Sequence, residues 1–152
     1  MDKNKQTSIW RALLLTGALS AVLYTIHVVL GGALWEGYSH LRQPISDLTA
    51  KGAPDAQLLR NFTFLYGVLG VVFAFSLFMV IKDRCGKIVK IGVILLLAME
   101  FSSFGGYTLF PLDALGEPDS IQNIMHIIVT AVVVITTIVS TVLIGIGLRK
   151  TA

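Results

Sequence analysis

Three histidines (His27, His40 and His126) and two aspartates (Asp47 and Asp113) are the side chains of this sequence best suited to chemistry. His40 and Asp47 share one polar stretch, residues 37–54, with Arg42 and Ser46 between them. Imidazoles and carboxylates that meet in space can hold a divalent cation, which acidifies a bound water and turns it into a nucleophile. His40, Asp47, Asp113 and His126 are the candidate ligands for such a centre, and His27 is a further donor within reach. No HExxH, CxxC or paired-histidine spacing is present, so no metal or other cofactor is required by the sequence. Ser46 with a histidine base would be a nucleophile, but no Gly-x-Ser-x-Gly elbow surrounds it. The structural alternative is that Ser46 and Asp47 cap a short helix, Asp113 pairs with Arg42, and His126 caps the last helix.

Glu100 stands apart, near the middle of an apolar run. An acid at mid-membrane costs about 2.5–3.5 kcal/mol on insertion scales and is normally paired or lines a cavity. It is a candidate proton carrier or ligand anchor, with His27 as a partner about 6 Å nearer the outer surface by helix rise. The alternative is a neutral acid hydrogen-bonded to a Ser or Thr across the bundle. The full candidate ligand-binding set is His27, His40, Arg42, Ser46, Asp47, Glu100, Asp113 and His126.

The composition says what holds these groups. The chain has 152 residues, 55% of them apolar and 14% charged, and its mean hydropathy is +0.78. A soluble domain is about 45–50% apolar and about 25% charged. This is the balance of an integral membrane protein. The single cysteine, Cys85, excludes an internal disulfide. The net charge of +3 comes from residues flanking apolar segments, which is a topology signal and not a nucleic-acid footprint. The expected partner is the lipid bilayer.

Four apolar runs, at about 10–34, 58–82, 88–110 and 122–148, are each long enough to cross a membrane. A cleaved signal peptide is the rival reading of the first, but its apolar centre would be only about 7–15 residues. The polar stretch at 35–55 separates the first run from the rest. Within it, Pro44 suits the opening of a short helix, residues 52–55 end that helix, and Asp55 suits the N-cap of the next. Residues 82–87 form a tight basic turn, and 111–120 form a short acidic loop. The expected fold is all-α: a single-domain four-helix transmembrane bundle with a short interfacial helix in the first outer loop.

Orientation follows from the basic residues. Of twelve Lys and Arg, nine flank the ends that four crossings place together (Lys3, Lys5, Arg11, Lys82, Arg84, Lys87, Lys90, Arg149 and Lys150). Only Arg42, Lys51 and Arg60 belong to the other two loops. Positive charge marks the cytoplasmic side, so both termini are expected inside, in the plasma membrane. The 35–55 and 111–120 loops, which carry Glu36, Asp47, Asp55, Asp113, Glu117 and Asp119, are expected outside.

Small and polar residues recur three and four apart: Gly17, Ser20, Tyr24, His27 and Gly31; Thr63, Gly67, Gly70 and Ala74; Glu100, Ser103 and Tyr107; His126, Thr130, Thr137 and Thr141. Each set shares a helix face, and small residues are what membrane helices place at their contacts. The plain reading is packing. The sharper one is a polar cavity in the outer third of the bundle, lined by Tyr24, His27, Tyr107 and His126.

The Pro44-Ile45-Ser46-Asp47-Leu48 block follows the first span. Asn61 and Gly67 come next, then Gly105-Gly106 leading into Phe110-Pro111-Leu112-Asp113, and finally His126. In that order these motifs resemble the bacterial and archaeal membrane-protein family catalogued as domain of unknown function 998, over residues 10–147. The resemblance implies an integral membrane fold and emphasises Ser46, Asp47, Asp113 and His126; it implies no activity. The family typically reads Ser-Asp-Leu-Gly where this chain has Thr49 in the last place, and many members carry further spans, which leaves open whether the chain pairs with itself. Membrane ceramidase-like hydrolases offer a looser analogy of chemistry, but the helix number and histidine spacings differ. The sequence therefore supports, first, a non-enzymatic protein that binds a lipid headgroup or small ligand in an outward pocket, or serves as a membrane partner subunit. A metal-dependent hydrolase and a proton-coupled carrier using Glu100 are the alternatives.

Overall fold

A chain this apolar must satisfy its backbone N–H and C=O groups within itself, because hydrocarbon offers them no partner. The computed structural model describes residues 3–113 and 120–149, and among them there are helices and no strand. The helices are α1 (Lys3–Leu13), α2 (Leu15–Leu34), α3 (Ala56–Ile81), α4 (Lys87–Leu109) and α5 (Ile121–Arg149), with a 3₁₀ turn at Ile45–Thr49. Four stretches are long and apolar enough to cross a membrane: Lys5–Leu34, Ala56–Ile81, Lys87–Leu109 and Ile121–Arg149. The chain is a multi-pass membrane protein of the all-α class. Glu117, Asp119 and Lys150 lie outside the described residues.

The first span starts earlier than its apolar content suggests, because α1 carries the polar N-terminal residues into helix. α1 and α2 are continuous except at Leu14, where the ladder tightens: Leu14 N–H donates to Arg11 O and Gly17 N–H to Leu14 O, each at 3.2 Å. Trp10 of α1 packs edge-on against Phe75 of α3, with ring centroids 5.6 Å apart.

The spans pack in chain order. α2 lies on α3, α3 on α4 and α4 on α5, while no Cα of α2 comes within 8 Å of one of α5. The four spans thus follow one another in a row, with the Cα atoms of α2 and α5 more than 8 Å apart throughout. The contacts are made where glycines admit a neighbour's side chain. Gly17 faces Phe73, Gly67 faces Phe104, Gly70 faces Glu100, Gly106 faces Val129, and Gly147 faces Val89. Ser20 Oγ also donates to Tyr66 O, across α2 and α3, at 2.8 Å.

One expected stripe fails in part. Thr137 and Thr141 face outward and donate to carbonyls of their own helix, Val133 O at 2.7 Å and Thr137 O at 2.8 Å. The contact face of α5 drifts instead to Ser140 and Gly147, seven and fourteen residues beyond Val133, and both are buried. A residue every seven keeps facing a neighbour only approximately, since 3.6 does not divide seven.

The 3₁₀ turn folds back over the end of the row. Leu48, fully buried, sits where a Cβ on Gly31 would be, and Leu59 of α3 closes on the same spot. Pro44 occupies the residue just before the turn with extended backbone. Lys51 N–H donates to Leu112 O at 3.1 Å, so the two loops lie at the same end. Asp55 departs from expectation. It precedes α3 but adopts a left-handed backbone, φ 53°, and its side chain makes no capping bond. The tight Gly52-Ala53-Pro54-Asp55 turn requires that conformation, which Asp tolerates better than most residues.

A Cβ on Gly92 would lie 3.0 Å from Ile144 N and 3.1 Å from Ser140 O, backbone atoms that cannot swing aside, whereas one on Gly105 meets nothing within 4 Å. Gly92→Ala should cost about 1–3 kcal/mol in detergent-titrated unfolding, and Gly105→Ala should cost nothing or stabilise slightly.

Candidate functional site

The row, the 3₁₀ turn and the start of α5 line a cavity of about 590 Å³ at the loop end. That is within the usual range of ligand pockets, about 300–1,000 Å³. Tyr24 and His27 contribute from α2, Arg60, Tyr66 and Gly67 from α3, Ser103 and Tyr107 from α4, and His126 and Thr130 from α5. Pro44, Ile45, Ser46 and Thr49 of the turn form its rim. The four side chains that the helical stripes bring to one level, Tyr24, His27, Tyr107 and His126, all line it.

His27 is 2% exposed, and neither ring nitrogen has a hydrogen-bond partner. Its ring is flanked by Tyr24, at a centroid distance of 6.2 Å, and Tyr66, at 6.1 Å. Buried polar groups are paired in the large majority of cases, and an orphan needs an explanation. Trp10 Nε1 is also buried and unpaired, but at the opposite end of the molecule, packed on Phe75.

His126 is built differently. Its Nδ1 lies 2.9 Å from Phe110 O, the residue that ends α4. A carbonyl only accepts, so Nδ1 carries the proton and Nε2 of a neutral ring is left as an acceptor. His126 therefore closes the end of α4 and does not cap α5. That role falls to Ser120, whose Oγ accepts from Asn123 N–H at 3.1 Å. Tyr107 stacks near His126 at 4.9 Å and donates to Thr130 Oγ1 at 3.1 Å; Thr130 in turn donates to His126 O at 2.9 Å.

The remaining sequence candidates separate. Ser46 lines the rim but bonds to no histidine, so it has no base. The ring of His40 lies over Gly32, outside the cavity, and meets Tyr38 edge-on at 4.9 Å. Arg42 is exposed, and Asp113 lies 3.9 Å from Lys51, which replaces the expected Asp113–Arg42 pair. Asn123 Oδ1 accepts from Asp113 N–H at 2.7 Å. Asp47 turns toward neither Arg42 nor His126; it stands near Tyr38, and partial burial raises its carboxyl above the ordinary range. Tyr38 is raised by its own burial first and by Asp47 second.

Glu100 rests against Gly70 and is not part of the cavity wall. It does not pair with His27, whose nitrogens are unpartnered, and its carboxyl bonds to no Ser or Thr among the described residues. Gly70 admits it by having no side chain. Among the described residues no three His, Cys, Asp or Glu side chains converge to hold a metal. The set His40, Asp47, Asp113 and His126 is thus not gathered, and the metal-dependent hydrolase loses its donor set.

Two cavity residues, Arg60 and Tyr66, are absent from the sequence-based candidates. Arg60 Nε donates to Thr49 O at 3.0 Å, tying α3 to the turn. The signal was present: Arg60, Thr63 and Gly67 are spaced three and four apart on one face. A family model described as protein of unknown function, DUF998, matches residues 18–152. The chain belongs to that family. No curated protein and no solved structure matches it.

His126→Phe keeps the ring and removes the donor to Phe110 O. It should cost about 1–3 kcal/mol, the penalty of an unsatisfied carbonyl, read by thermal melting in detergent. For Asp47 the folded carboxyl is raised, so its protonated form favours folding, and that contribution fades as pH rises through the raised value. Asp47→Asn should raise the melting temperature slightly near neutral pH and leave it unchanged in acid, below the ordinary carboxylate range.

Proposed function

We propose that this protein is a non-enzymatic membrane binding protein that takes the polar part of a small or lipid-like ligand into the cavity beside His27. One observation carries the reading: a histidine buried to 2% exposure, with two orphan ring nitrogens, against a cavity of about 590 Å³. An unpaired buried polar group costs about 1–3 kcal/mol; the His27 nitrogens are covered by their neighbours, so a ligand recovers that cost when the flanking Tyr24 or Tyr66 ring shifts to uncover one. The surrounding groups suit recognition more than turnover. Tyr24, Tyr66, Tyr107, Thr130 and the free nitrogen of His126 offer neutral donors and acceptors, and Ser46 has no activating base.

The cavity opens outward in this account. Lys5, Arg11, Lys82, Arg84, Lys87, Lys90 and Arg149 belong to the opposite end of the row, and the positive-inside rule assigns that end to the cytoplasm. The protein then sits in the cell membrane with both termini inside and receives its ligand from the outer leaflet or the outer medium. Cys85, in the Lys82–Lys87 turn, reports this directly. A membrane-impermeant maleimide should label it only after cells are permeabilised, and labelling of intact cells would reverse the orientation.

The binding reading is tested by native mass spectrometry of protein released from mild detergent. The wild-type chain should carry an extractable small molecule. His27→Leu, similar in size and unable to hydrogen-bond, should reduce its occupancy about tenfold. Equal occupancy in the variant, or an empty wild-type protein, would contradict the reading.

A further inference from the structure

The charge pattern of the cavity narrows the ligand class, on the footing that the cavity beside His27 is a binding site. Of the lining residues only Arg60 carries a formal charge; the others are aromatic, aliphatic, hydroxyl, amide or imidazole groups. Among the described residues no carboxylate lies within ion-pair distance of Arg60, and the ion pair nearby joins Lys51 to Asp113 instead. The guanidinium is also held in place. Its Nε is spent on Thr49 O at 3.0 Å, which fixes the plane of the group against the 3₁₀ turn and leaves the two terminal nitrogens unbonded. A guanidinium held this way presents a fork that matches a phosphate or carboxylate.

Arg60 stands six residues before Tyr66 on α3, about 9 Å along the helix axis. Tyr66 packs on His27. The cavity therefore has a cationic mouth at the loop end and a neutral hydrogen-bonding floor about 9 Å deeper in the bundle. No Cα of α2 comes within 8 Å of one of α5, so the backbones of these two helices do not pack against each other along that side. Phe64 and Phe104 supply apolar wall.

We propose that the ligand is an anionic amphiphile: an oxyanion headgroup on Arg60, a hydroxyl or ester on His27, and a hydrocarbon tail leaving between α2 and α5. The shared chemistry, an oxyanion on a guanidinium, would also suit a free phosphate from the outer medium; the tail distinguishes the two.

The test uses the purified full chain in a neutral detergent and three probes: 1-oleoyl lysophosphatidic acid, monoolein with the same tail and no charge, and inorganic phosphate. Affinity is followed by the rise in melting temperature with probe concentration. The lysophosphatidic acid should bind about tenfold or more tightly than monoolein, and phosphate alone should bind far more weakly than either. Arg60→Gln should bring the two lipids to within about twofold of each other without weakening monoolein, and Arg60→Lys, which keeps the charge but loses the fork, should preserve part of the preference. Lys51→Gln removes a side chain that is 78% exposed and lines not the cavity beside His27 but a neighbouring one that shares Arg60, so it should leave most of the preference intact. Equal binding of the two lipids, or loss of preference in Lys51→Gln as large as in Arg60→Gln, would overturn the assignment of the anion to Arg60. Full Arg60-dependent binding by phosphate alone would overturn the amphiphile. If monoolein binds and His27→Leu weakens it while charge has no effect, the cavity reading stands and this inference falls. If no probe binds, both fall.

Discussion

Hydrocarbon cannot hydrogen-bond, and most of this structure follows from that one fact. It forces the backbone into helices, and it removes the hydrophobic push that would otherwise bring those helices together. What brings them together here is close approach at glycine. Gly17, Gly67, Gly92, Gly106 and Gly147 each admit a neighbouring side chain. The same solvent explains why the hydroxyls of Thr25, Ser76, Thr108, Thr136 and Thr141 turn back to carbonyls of their own helices. His27 departs from this at the loop end, a buried side chain with two ring nitrogens that no protein group answers, as Trp10 Nε1 does at the opposite end.

The loop end is organised around that exception. Leu48 seated on Gly31 pins the 3₁₀ turn, and the turn's Thr49 carbonyl holds Arg60. His126 ties α5 to the last residue of α4. These contacts hold the cavity walls without filling the space between them. Because the spans pack in a row, the backbones of α2 and α5 stay apart, where a closed ring of four helices would have brought them together.

The class, the number of spans and the short helix after Pro44 were legible in the sequence, since they depend on hydropathy, length and turn chemistry, which act locally. So were the four residues Tyr24, His27, Tyr107 and His126, because helical spacing alone brings each to a shared face. What was not legible depended on which helix lies beside which. Asp113 pairs with Lys51 and not Arg42, because the Lys51–Leu112 bond sets the loops side by side. Glu100 meets the bare backbone of Gly70 and not His27, because α4 packs on α3 and the His27 ring faces the two tyrosines. Arg60 was counted only as a topology charge, although its stripe with Thr63 and Gly67 pointed to the interior.

The central claim is that the unpaired imidazole of His27 marks where a ligand's polar group belongs. A high-resolution experimental structure of the chain extracted with its native lipids tests it most directly. The account predicts ligand density in the cavity with a polar atom about 2.7–3.2 Å from a His27 ring nitrogen. A cavity in which protein side chains or water alone satisfy His27, with no ligand density beside it, would contradict the account.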